Sequence, residues 1–100
     1  METKELQKKC SIIVSKIDRK YSVTRDPYLS FVQFMEEVGE LAKEINKPKL
    51  RNKEIDKQNL KGEFADVFLQ LIILAEIFNI DMEDSVEDKI KVLVERHELK

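Results

Sequence analysis

One hundred residues suffice for one domain and leave no room for a second, and an apolar content of 42% in a regular pattern excludes a disordered chain. A formal net charge of −2, from 18 basic and 20 acidic residues, gives nucleic acid no bulk electrostatic attraction. A single cysteine, Cys10, and a single histidine, His97, exclude an internal disulfide and a Cys/His zinc site.

The N-terminal stretch, Met1 to Lys9, is charged and lacks the apolar run of a signal peptide. A reducing cytoplasm is the expected setting. The first helix is predicted over about 5–20, where Leu6, Cys10, Ile13, Val14 and Ile17 recur at spacings of three and four. Cys10 falls in that apolar stripe and reads as a small core residue. Tyr21 to Pro27 reads as a connection, with Asp26 as cap and Pro27 in a first helical turn.

The second helix is predicted over 27–46. Leu29, Phe31, Phe34, Val38, Leu41, Ala42 and Ile45 make its apolar side, and Glu36, Glu37, Glu40, Lys43 and Glu44 fall on an arc largely opposite. Gly39 costs about 1 kcal/mol against alanine in a helix interior; it would admit a neighbouring helix or leave space beside the carboxylates. Asn46-Lys47-Pro48 ends this helix. Lys49 to Asn59 is expected to be a polar, basic loop, with Asp56 as a cap before the third helix, predicted over 56–79.

That third helix is apolar on nearly its whole circumference, which is the mark of a central helix. It is too short and too interrupted, by Gln70, Glu76 and Asn79, to span a bilayer. Glu63 and Asp66 stand out on it, because carboxylates are rarely buried without a partner. A fourth helix is predicted over 83–95, capped by Asp81 with Asp84 as partner, its thinner apolar side made by Val86, Ile90, Leu93 and Val94. Arg96, His97 and Lys100 make a basic end. A chain this short buries a modest core alone, so self-association is the default.

Glu37 and Glu40 are three apart, as are Glu63 and Asp66, so each pair shares a helix face. Two such pairs brought together place four carboxylates in one pocket, where they repel unless a cation or captured protons lie between them. Oxygen-only ligands suit magnesium, with manganese as a substitute. Against this stand blander readings: a solvated face for Glu36, Glu37 and Glu40, and salt bridges to lysines for Glu63 and Asp66. Lys89 reads as a surface lysine or a contact for a substrate phosphate. Gln33 and Gln70 would orient water or a base. The five phenylalanines, Phe31, Phe34, Phe64, Phe68 and Phe78, sit at core spacing, with one or two left for a base pocket that periodicity does not single out.

The order Glu36-Glu37-x-x-Glu40 followed by Glu63-x-x-Asp66 resembles the signature of the MazG-like nucleotide pyrophosphohydrolases. The surrounding Glu37-Val38-Gly39-Glu40-Leu41-Ala42 and Gly62-Glu63-Phe64-Ala65-Asp66-Val67-Phe68 look alike too. The resemblance implies an all-α fold, a four-helix arrangement completed by homodimerisation, sometimes as a dimer of dimers. It implies Glu37, Glu40, Glu63 and Asp66 as Mg²⁺ ligands, Glu36 or Glu37 as the catalytic group that orients or deprotonates water, and Lys89 as a contact for a substrate phosphate; Gln70 and Phe34 are candidate substrate contacts beside it, on the residues alone. The implied reaction cuts a nucleoside triphosphate between its α and β phosphates. Phosphoribosyl-ATP pyrophosphohydrolase is the alternative within the same superfamily; a non-catalytic helical interaction module retaining the acidic motif is the alternative outside it. Relatives often carry asparagine near Leu93, and an arginine-rich run where this chain has Glu95-Arg96-His97.

Overall fold

A computed structural model describes residues 2–99; Met1 and Lys100, and with Lys100 one residue of the basic end, lie outside them. The described chain is helical with no strand: α1 is Thr3–Lys20, α2 Pro27–Ile45, α3 Lys47–Leu50, α4 Lys57–Ile77 and α5 Met82–Arg96. Local chemistry sets the ends. Asp26 caps α2 by accepting from the Leu29 N–H at 2.8 Å, with Pro27 in the first turn. Asp56 caps α4 by accepting from the Gln58 and Asn59 N–H groups. Asp81 caps α5 through the Asp84 N–H, but the Asp84 carboxylate turns to Lys4 at 2.9 Å rather than back to Asp81. At the end of α4, Asn79 takes a left-handed φ of 56°, and the Ile80 N–H reaches back to the Ala75 carbonyl at 3.0 Å.

One short helix departs from the expected loop. Pro48 does not simply stop α2; it lies in the single turn α3, because proline is tolerated in a first turn where its missing N–H is not needed.

The most extensive packing is α2 against α4; α1 lies on α4, and α5 packs chiefly on α1. Gln7, 4% exposed, joins three segments at once. Its Nε2 donates to Glu76 Oε1 at 2.7 Å and to the Ile80 carbonyl at 2.9 Å, while its Oε1 accepts from the Met82 N–H at 2.9 Å. Arg25 braces the other end of α1: it forms a two-point pair with Asp18 and donates to Gln33 Oε1 at 2.6 Å and Ser30 Oγ at 3.2 Å.

The core of the protomer is thin. Among the described residues only Val14, Ile72, Ile73 and Ala75 are buried apolar residues. Four of the five phenylalanines expected in the core, Phe31, Phe64, Phe68 and Phe78, are exposed, as are Val86, Ile90, Leu93 and Val94 on α5. The radius of gyration is 16.4 Å, against roughly 13 Å for a compact chain of this length. The apolar α4 meets α2 and α1, and Phe64, Phe68 and Phe78 along it and at its end stay exposed. No helix of the described residues is long and apolar enough to cross a membrane.

Candidate metal centre

The side of α2 that meets α4 is polar. Glu44 reaches Asn59, and Glu37 approaches Asp66, seven residues back along α2 and seven on along α4, so the two helices run antiparallel. Ser30, Glu37 and Glu44, spaced by seven, therefore share the inner face of α2. The sequence pattern places Phe31 and Ile45 on the buried side and the acids opposite; in the structure Glu37 and Glu44 face α4, Glu36 and Glu40 are exposed, and so are Phe31, Val32, Met35 and Ile45. Amphipathic periodicity identifies two faces but not which one meets a partner within the protomer.

At the middle of this seam, carboxylate oxygens of Glu37, Glu63 and Asp66 all lie within 4.8 Å of one another. Glu37 and Glu63 are half-buried and Asp66 is exposed. The Glu37 carboxyl is pushed above its ordinary value, first by desolvation, then by the charges of Asp66, Glu63, Glu40 and Glu36. None of the ion pairs among the described residues involves Glu37, Glu63 or Asp66. Three converging carboxylates with no cationic side chain paired to them are a donor set that fits a hard divalent cation.

Glu40 stands outside the group of three. It is exposed and lines, with Glu63, a cleft of about 210 Å³ toward α3. Glu36 is exposed on α2 and acts on Glu37 through its charge. Phe34 is half-buried on α2. Gln70 lies one turn beyond Asp66 on α4; its Oε1 is buried and unpartnered among the described residues. Gln33 is held at its Oε1 by Arg25. Lys89 is exposed on α5, and none of the hydrogen bonds or ion pairs among the described residues involves it. Cys10 is a half-buried free thiol on α1. Gly39 has open space: a Cβ there would meet nothing within 4 Å, so no helix of the protomer packs against it.

Sequence reasoning missed Glu44, which it set on the solvated arc. Glu44 is 2% exposed. It accepts from Lys47 Nζ at 2.9 Å, from the Asp56 N–H at 3.3 Å and from Asn59 Nδ2. These donors, Asn59 first, hold its carboxyl below the ordinary value. The signal was present in the seven-residue steps from Glu37 to Glu44 and from Asn59 to Asp66.

Compared with known families, residues 26–99 match the MazG nucleotide pyrophosphohydrolase domain. No curated protein and no solved structure matches the chain.

Proposed function

The chain belongs to the MazG nucleotide pyrophosphohydrolase family, and from that premise we propose that it is a Mg²⁺-dependent nucleoside triphosphate pyrophosphohydrolase, yielding the monophosphate and pyrophosphate. The observation that carries this reading is the convergence of Glu37, Glu63 and Asp66 from two helices with no cationic side chain paired to them. Those three would hold the cation, with Glu40 beside them as the fourth carboxylate. Bound there, Mg²⁺ supplies charge to offset the phosphate oxygens and the developing negative charge of displacement.

The side chains do the rest. Glu36, adjacent to the cluster and outside it, accepts a proton from the attacking water at its carboxylate. The water oxygen bonds to the α-phosphorus as the bond to the α–β bridging oxygen breaks, and pyrophosphate leaves with that electron pair. Gln70, with its buried free acceptor, takes a hydrogen bond from the nucleotide, and Phe34 gives the base an apolar wall. Lys89, exposed on α5, supplies a contact for a substrate phosphate. A homodimer, or a dimer of dimers, covers the apolar residues that one protomer leaves exposed.

The test is product identification. Purified protein with a panel of nucleoside triphosphates, and phosphoribosyl-ATP alongside, is expected to release pyrophosphate and monophosphate only with Mg²⁺ or Mn²⁺. Preference for phosphoribosyl-ATP would move the assignment to the biosynthetic branch. Orthophosphate release would contradict the bond assignment, and no turnover would leave a helical interaction module.

A further inference from the structure

The cleft next to the carboxylates changes sign along its length. Glu40 and Glu63 line the end nearest Glu37 and Asp66; Lys43, Lys47 and Arg51 line the end nearest α3. Lys47 is anchored, its Nζ held at 2.9 Å by the buried Glu44. Lys43 and Arg51 are exposed, and neither takes part in the ion pairs among the described residues. Three cations from the last turn of α2 and from both ends of α3 thus gather in one cleft of about 210 Å³, against a wall that Asn59 and Glu44 hold in place.

We propose that Lys43, Lys47 and Arg51 form the subsite for the pyrophosphate end of the substrate, the part that leaves. The inference rests on the triphosphate reading above and adds an orientation to it. The scissile α-phosphate lies at the carboxylate end and the β and γ phosphates run along the seam toward α3. The physical reason is the charge gradient. A polyphosphate is repelled by Glu40 and Glu63 unless a divalent cation covers them. It then meets a forked guanidinium and two ammonium groups at the far end, where donors match phosphate oxygens. The base consequently lies on the opposite side, toward Gln70 and Phe34. The turn of α3 also gains a purpose: it brings Lys47 and Arg51 to the cleft across Pro48.

Calorimetric titration with inorganic pyrophosphate, with and without Mg²⁺, tests this separately from turnover. The variants are Lys43→Ala/Arg51→Ala, and Lys9→Ala/Lys16→Ala on the exposed side of α1 as a control for net charge. The α3-side double variant is expected to bind pyrophosphate weaker by at least about tenfold, the scale of a lost charge-assisted contact. A nucleoside monophosphate should bind it as it binds wild type, and the α1 control should retain both affinities. Unchanged pyrophosphate affinity, equal weakening of pyrophosphate and monophosphate, or equal weakening in the α1 control each overturns the subsite. Wild type that hydrolyses triphosphate while the double variant keeps its pyrophosphate affinity sinks the subsite and leaves the enzyme. Wild type that binds pyrophosphate through these side chains without turnover of any triphosphate does the reverse.

Discussion

Glu37 and Glu44 lie on the same face of α2, seven residues apart, and both look toward α4. Around Glu44 the protein supplies a lysine, an amide side chain and a backbone N–H, and the carboxyl is held below its ordinary value. Around Glu37 it supplies four more acids, and the carboxyl is pushed up. One helix face therefore carries a carboxylate whose charge is answered within the chain and another whose charge is not. A buried charge that keeps its partners is a structural clasp; a half-buried one held among like charges is poised for a ligand from outside. The difference separates the framework of the site from its reactive part without reference to any relative.

The sharpest way to break this comparison is to neutralise each acid in turn. Glu37→Gln is expected to lower Mg²⁺-dependent turnover by more than about a hundredfold, beyond the loss typical of a partner outside the ligand set, with helicity by circular dichroism unchanged. Full activity in that variant, or in Asp66→Asn, would remove the cluster from the mechanism. The exposed apolar face of the same helix comes next. Met35→Asp, on the exposed apolar side, should halve the mass read by light scattering and take activity with it; a wild type that is monomeric at micromolar concentration would refute the covered-face reading.

Glu44→Gln should act the other way from Glu37→Gln. It is expected to lower Tm by several degrees, because Lys47 loses its counter-charge, and to move KM through the released Lys47 while kcat per folded molecule is kept. The pH dependence follows with opposite signs. A depressed carboxyl such as Glu44 contributes stability above the ordinary glutamate value of 4.5, and that stability is lost as pH falls through its folded value. The raised Glu37 contributes stability below 4.5, lost as pH rises through its folded value. Mg²⁺ should therefore raise Tm by a few degrees at pH 7 and by less at pH 5, and Glu37→Gln should flatten that contrast. Gly39→Ala is read by the sign of its effect. If the space beside Gly39 stays open, as in the protomer, Tm rises with a gain of about 1 kcal/mol in helix propensity. A loss instead would place a second copy against that face.

Much of the site was legible because helices are periodic. The spacing of Glu63 from Asp66 puts both on the face of α4 that meets Glu37; the same spacing from Glu37 leaves Glu40 exposed beside the group of three rather than in it. The caps at Asp26, Asp56 and Asp81 were readable because short acceptors before an apolar run have one common use. The orientation of α2 was not readable. A helix with one polar and one apolar face presents the apolar one inward when the partner helix is its whole environment; here Ser30, Glu37 and Glu44 face inward and Phe31 and Met35 do not. Nor could spacing locate Gln7, whose three hydrogen bonds depend on α1 meeting the α4–α5 junction 69 to 75 residues away. The cleft cations were hidden for a similar reason: Lys43, Lys47 and Arg51 are ordinary surface residues until α3 folds them against the seam.

The seven-residue steps along the seam sort the changes in chain length that this protein can absorb. One residue inserted between Glu37 and Glu44 turns one of them about 100° away from α4, so either the cluster or the clasp comes apart. The same insertion within residues 51–55, which belong to no helix, costs only the slowly rising entropy of a longer loop. Length variation between the two acidic motifs therefore belongs in that loop, with both helices conserved in register on either side of it.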